Sequence, residues 1–266
     1  MNILFEKYNN FKINNFFIVR LFFYSLPFIL FFPSGYVTVH ISLLTIASSI
    51  LIFKNNIKIK LILVDYLIFA LFFLSIFSTL INISTLGNII FIKSILDIRF
   101  PIFFLIIRNL LINKIVNLNL LSIITLISST LLSLDIFLQH LVGYDMFGYE
   151  AFDGRYNGFF EHEAIAGGFI QKNFLISLLS IFLLNFKKTT KIFLITFLVN
   201  ILGLGVLLSL DRMPFIIFIL IVFILFALIK NYRVLFFFNI LILSILFAFL
   251  IDRKSTRLNS SHGYIS

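Results

Sequence analysis

The sequence predicts an all-α, polytopic transmembrane helix bundle. Three observations carry that expectation: apolar runs of spanning length, Lys and Arg gathered in alternate connections, and a composition far outside the soluble range. Hydrophobic residues make up 61% of the 266 residues and mean hydropathy is +1.13, against about 45–50% apolar in soluble domains. A spanning helix needs about 20 mostly apolar residues. By that measure the chain holds about nine spans. They are Phe16–Phe32, Tyr36–Phe53, Leu61–Ile83, Ile89–Ile112, Leu118–Leu138, Ile165–Leu184, Ile192–Leu210, Pro214–Ile229 and Val234–Ile251. Unbroken apolar runs favour helices over barrel strands, which alternate apolar and polar residues.

The basic residues then set the orientation. With the N-terminus in the cytoplasm, Lys7, Lys12, Lys54, Lys58, Lys60, Arg108, Lys114, Lys187, Lys188, Lys191, Lys230 and Arg233 fall at inner loops and helix ends. The outer half keeps Lys93, Arg99, Arg155, Lys172 and Arg212. This asymmetry is the positive-inside pattern of a bacterial-type plasma membrane. It accounts for the net charge of +10 without invoking nucleic acid. It also puts the long loop 139–164 and the turn at Asp211–Arg212 on the outer face.

The natural transmembrane domain is expected over residues 1–251. The stretch from Asp252 to Ser266 is polar, Ser-rich and begins abruptly after an apolar run. It is the reading-frame translation of a common sequencing-library adapter, and it is set aside from fold reasoning. Removing it takes out Arg253, Lys254, Arg257, Asp252 and His262. The natural sequence is then expected to continue past Ile251, which makes this chain a fragment.

Four outward-facing features carry chemistry. The fourth run holds Lys93, Asp97 and Arg99, with Lys93 and Asp97 four apart and so on one helix face. Charges in hydrocarbon usually face a bundle interior or a watery cavity. A structural Lys–Asp pair with Arg99 snorkelling outward is the alternative. The fifth run ends in Asp135 and Gln139, which also share a face. They can meet sugar hydroxyls or hydrogen-bond a neighbouring helix. The loop that follows mixes glycines, aromatics and acids with Arg155. Aromatic faces beside carboxylates suit sugars, and Glu161 and His162 are counted as possible glycan or cavity contacts. Glu161-His162-Glu163 resembles a metal cluster only superficially: adjacent helical residues point apart and no second His cluster exists, so no metal is expected. Without Cys, disulfides and Cys-ligated metals are excluded. The last feature is Ser209-Leu-Asp211-Arg212-Met-Pro214. Pro214 suits a first helical turn, and Asp211 or Ser209 can cap it. An Arg beside a helix N-terminus makes an anion site. Two outward arginines, Arg155 and Arg212, can clamp a diphosphate by forked hydrogen bonds and stabilise it as a leaving group.

These stretches occur in a fixed order: Arg99-Phe-Pro-Ile-Phe-Phe, the run from Leu134 to Gly148, Gly154-Arg-Tyr-Asn-Gly-Phe-Phe, Ala164-Ile-Ala-Gly-Gly-Phe-Ile and Leu210-Asp-Arg-Met-Pro-Phe. In that order, across most of Ile89–Ile229, the sequence resembles the O-antigen ligase/polymerase superfamily of membrane glycosyltransferases. Leu210-Asp211 departs from the small polar residues that more often precede the family's later Arg. The resemblance implies a GT-C-like fold that uses neither cofactor nor metal. It implies transfer of a glycan from undecaprenyl diphosphate to a lipid or glycan acceptor at the periplasmic face of the inner membrane, with inversion. Arg155 and Arg212 would match the family's diphosphate-binding arginines. The family's acceptor-activating histidine lies in a later periplasmic loop, and His162 does not match it. The competing expectation is a transporter or flippase-like carrier of lipid-linked or anionic substrates, which would more often show broken helices and internal pseudo-symmetry.

Overall fold

The computed structural model describes residues 16–152, 154–161, 163 and 165–262. Lys7, Lys12 and His162 lie outside the described residues, as do residues 263–266. The chain divides into two compact units, residues 1–118 and 119–266. No β-strand occurs among the described residues, only two isolated bridges in the long loop. Among the described residues six helices are long and apolar enough to cross a membrane, and Phe17–Ile29 and Arg212–Leu228 are shorter apolar helices.

The first unit holds α1 (Phe17–Ile29), α2 (Ser34–Lys54), α3 (Leu63–Ile81), a single turn α4 (Ile83–Leu86), α5 (Asn88–Leu96) and α6 (Arg99–Ile112). α1 packs on α2, α2 on α6, and α3 on both α5 and α6. Pro33 sits at the N-cap of α2, where its missing N–H costs nothing. Buried His40 of α2 lies 2.8 Å from the Phe22 carbonyl oxygen of α1, a polar link between two otherwise apolar faces.

The expected single span Ile89–Ile112 is two helices, α5 and α6. Pro101 is the physical cause. Its ring clashes with the carbonyl four residues back, that of Asp97, and it has no N–H to close the turn. The chain passes Asp97 and Ile98 with tighter i→i+3 bonds, Ile98 N–H to Ile95 and Phe100 N–H to Asp97. Asp97 still follows Lys93 by one helical turn, its N–H bonding the Lys93 carbonyl at 3.1 Å, but the ion pair does not form between these two. Asp97 is the C-cap of α5, and its ion pair is with Arg99, at 3.5 Å. The Arg99 guanidinium also lies 4.9 Å from the centre of the Phe100 ring.

Sequence reading also missed a buried ion pair in this unit. Asp65, in the first turn of α3, is fully buried and accepts from Arg108 of α6 at 2.6 Å. The same carboxylate accepts the Ile62 N–H at 2.7 Å, and Arg108 also donates to the Lys60 carbonyl.

The second unit holds α7 (Leu118–Val142), α8 (Ala166–Leu183), α9 (Lys188–Leu208), α10 (Arg212–Leu228) and α11 (Arg233–His262). One 3₁₀ turn precedes α8, at Gly158–Phe160, and another precedes α11, at Lys230–Tyr232. α9 is the hub, packing on α8, α10 and α11. Small residues let the backbones approach, as in many membrane bundles. A methyl group at Gly205 of α9 would lie 2.5 Å from the Ser133 hydroxyl of α7, and one at Gly203 would lie 2.8 Å from Leu243 of α11. Polar residues recur at helical spacing along the buried face of α7: Ser122, Thr125, Ser129 and Ser133, then Asp135 and Gln139. Asn200 and Asn239 join α9 to α11 through a 2.6 Å side-chain hydrogen bond.

Candidate functional site

The site begins with the last turns of α7. Asp135 and Gln139 share a face, as their spacing requires, and each is only 1% exposed. They hold the loop rather than presenting free groups to a ligand. Asp135 Oδ1 accepts the Met146 N–H at 2.8 Å. Gln139 donates to the Tyr149 carbonyl at 3.1 Å and accepts the Gly158 N–H at 3.0 Å. One amide thus clips together two parts of the loop that are nine residues apart in sequence. Buried Asp145 shapes the first part, since its Oδ1 accepts the N–H groups of Phe147 and Tyr149. Gly158 has φ +52, and a methyl there would lie 2.8 Å from Asp135 Oδ2. Only glycine combines that backbone with that contact.

The second part of the loop presents Arg155. Phe152 and Arg155 exchange backbone hydrogen bonds of 3.1 and 2.9 Å across a two-residue turn that includes Gly154, at φ +69. The turn pushes Arg155 outward, leaving its side chain 47% exposed. Glu161 follows the 3₁₀ turn with φ +54, and its carbonyl accepts from buried Asn157 at 3.1 Å.

Arg155 meets the start of α10. Its Nη1 lies 3.4 Å from Asp211 Oδ1. Asp211 stands at the N-cap position of α10 but makes no side-chain cap hydrogen bond, which corrects the local capping role expected for it. Its carboxylate turns instead to Arg155 and to the Gly167 N–H in the first turn of α8. α8 and α10 come this close because residue 167 is glycine: a methyl there would lie 2.4 Å from Ser209 Oγ and 2.9 Å from Asp211 Oδ2. Leu210, between them, is held at φ +59, a region costly for a branched side chain.

Burial pushes the Asp211 carboxyl above its ordinary value near 3.8, against the opposing pull of Arg155 and the Gly167 N–H. A carboxyl raised in the fold binds its proton more tightly folded than unfolded. Its stabilising contribution is therefore full below the ordinary value and is lost as pH rises through the raised one. Ionised, the carboxylate is a net cost to the fold, so Asp211→Asn is expected to unfold no earlier than wild type at pH 7. Thermal melts at pH 7 and pH 4 check this. A clear loss of stability in the variant at pH 7 would reverse the sign assigned here.

Arg155, Gly154 and residues 210–214 line one open cleft of about 520 Å³. Arg212, the first helical residue of α10, is exposed there and forms no ion pair among the described residues. The cleft thus combines two guanidiniums, one of them without an ion pair among the described residues, with one carboxylate and the positive end of a helix. Chemically it favours an anion with several acceptor oxygens.

Of the other sequence-predicted site residues, Asp135 and Gln139 support the loop and do not line the cleft. Glu161 follows the 3₁₀ turn and is not among the residues lining the cleft, and Arg99 belongs to the first unit. No group of three or more His, Asp or Glu suited to a metal occurs among the described residues. Comparison with family models, curated proteins and solved structures finds no match to this chain.

Proposed function

We propose that the cleft binds the diphosphate of a lipid-linked glycan, and that the chain is part of a membrane glycosyltransferase of the O-antigen ligase/polymerase type. The observation that carries the reading is the meeting of Arg155 and Arg212, 57 residues apart in sequence, on one cleft. The sequence resemblance supplies the substrate class. In this reading the chain crosses a bacterial inner membrane about nine times, with the N-terminus in the cytoplasm and the cleft on the periplasmic side. A base takes the proton of an acceptor hydroxyl, the oxygen bonds to the anomeric carbon from the opposite face, and the bond from that carbon to the diphosphate oxygen breaks. Undecaprenyl diphosphate leaves, its charge held by the two arginines.

One observation favours a second reading, a carrier of lipid-linked or anionic substrates: the interruption between α5 and α6, since broken helices are common in transporters. Pro101 accounts for that break locally. Asp97 and Arg99 pair with each other beside it, which leaves the transferase reading ahead.

Topology is the first test. The chain has no Cys, so single cysteines report cleanly. Met146→Cys, on the exposed part of the loop, is expected to react with a membrane-impermeant maleimide from the periplasmic side. Lys187→Cys is expected to stay protected until the inner membrane is opened. The reverse pattern would remove the periplasmic cleft and the transferase reading with it.

A further inference from the structure

One more cation belongs to α8, the helix whose first turn meets Asp211 and Pro214 of the cleft. Lys172 of α8 is exposed and makes no hydrogen bond or ion pair among the described residues. The neighbours of three consecutive residues fix which way each face of α8 points. Gly167 faces Ser209 and Asp211, Gly168 faces Pro214 with a would-be methyl 3.9 Å from its ring, and Phe169 lies against Phe160 at 5.7 Å between ring centres. Residues four apart on a helix differ by only about 40°. Lys172 therefore lies one turn beyond Gly168, between the Pro214 side and the Phe160 side.

Its surroundings change sharply along the helix axis. Toward the N-terminus of α8 is the cleft. One turn the other way, Leu175 and Ile176 are 48% and 37% exposed, and on adjacent α10 Met213, Ile216 and Ile217 are exposed as well. Both helices have membrane-like composition, and each thus carries its own strip of exposed apolar residues. Helical side chains lean toward the helix N-terminus, and four residues rise about 6 Å, roughly the reach of a lysine stem. The Lys172 ammonium thus rises out of the strip to the level of Gly168 and Pro214, the edge of the cleft. A lysine in hydrocarbon snorkels to the nearest polar region, and here that region already holds two arginines.

We infer that Lys172 is a third cationic contact of this site, and that the site takes an amphiphile. The diphosphate sits between Arg155, Arg212 and Lys172, and an isoprenoid-type chain runs down the exposed strips of α8 and α10. The inference rests on the cleft binding proposed above and adds a residue and a direction for the ligand's tail.

The test uses the full chain in phosphatidylcholine nanodiscs at about 0.15 M salt, with empty discs subtracted. Farnesyl diphosphate and inorganic diphosphate are the probes. Wild type is expected to bind farnesyl diphosphate at least about tenfold more tightly than inorganic diphosphate. Lys172→Met is expected to weaken farnesyl diphosphate by about tenfold, one charge-assisted contact, and Lys172→Arg to recover most of it. If Lys172→Met fails to fold, Lys172→Gln with the Arg variant carries the same comparison. Wild-type affinity in the Met or Gln variant, with binding lost in Arg155→Ala, overturns the role of Lys172 and leaves the cleft standing. Equal affinity of wild type for the two probes overturns the apolar strips as a tail path. Wild-type affinity in Arg155→Ala and Arg212→Ala together overturns the cleft reading itself.

Discussion

Arg155→Ala and Arg212→Ala are each expected to slow glycan transfer from a polyprenyl diphosphate by about 10²–10³-fold, the usual cost of removing one donor aimed at developing negative charge. In the proposed reaction the diphosphate gains charge as the bond to the anomeric carbon breaks, and a guanidinium at the edge of a low-dielectric membrane would hold that charge without reorganising. The two losses differ in origin. Arg212 forms no ion pair among the described residues, so its removal takes away only the contact to the ligand. Arg155 also faces the Asp211 carboxylate at 3.4 Å, so its removal leaves a poorly exposed charge without its partner. The double variant Arg155→Ala/Asp211→Asn separates these effects. If transfer stays low in the double variant, the guanidinium itself was the lost element; if transfer returns, the damage came from the orphaned carboxylate. Arg212→Lys is expected to keep part of the rate, because charge remains while the two-pronged geometry is lost. Initial rates with labelled lipid-linked glycan, measured in membranes carrying the protein, check all four. Wild-type rates in both alanine variants would leave the cleft without a function in transfer.

Helices were legible where a single physical rule governs them. Runs such as Leu118–Leu138 and Ile192–Leu210 have the length and apolarity of a spanning helix; α7 covers the first, and α9 covers the second up to Leu208. The run Ile89–Ile112 looked the same because hydropathy ignores backbone geometry. Pro101 stood in plain view, and its clash with the Asp97 carbonyl is a sequence-level signal that an apolar window averages away. The i,i+4 relation of Asp135 and Gln139 was readable as a shared face. What they touch was not, because their partners are backbone groups at Met146, Tyr149 and Gly158, which every residue type carries. Arg155 and Arg212 were readable as candidate anion contacts, and both line one cleft. The turn of Asp211 away from its own helix was not, since capping rules describe local bonds, whereas its position depends on the bare Cα of Gly167 in another helix.

The Asp65–Arg108 pair shows the same limit and carries the largest expected effect on stability. Forty-three residues separate the partners, so no periodicity could join them. The available hint was a single acid in the apolar run Leu61–Ile83. In the fold, the Asp65 side chain is fully buried and that of Arg108 is 13% exposed. Their attraction has to offset the removal of both charges from water. Taking away one partner strands the other, so Arg108→Met and Asp65→Leu are each expected to cost about 3–5 kcal/mol. Asp65→Leu is expected to be the worse by about 1 kcal/mol, because it also loses the hydrogen bond that caps α3 at Ile62. The double variant Asp65→Leu/Arg108→Met removes both charges and is expected to be more stable than either single variant, since an apolar pair of similar volume often matches a buried ion pair. Equilibrium unfolding in mixed detergent micelles, followed by circular dichroism, gives the three values. If the two single losses simply add in the double variant, the groups are not coupled, and the contact of α3 with α6 owes its stability to the apolar side chains around the pair rather than to the pair itself.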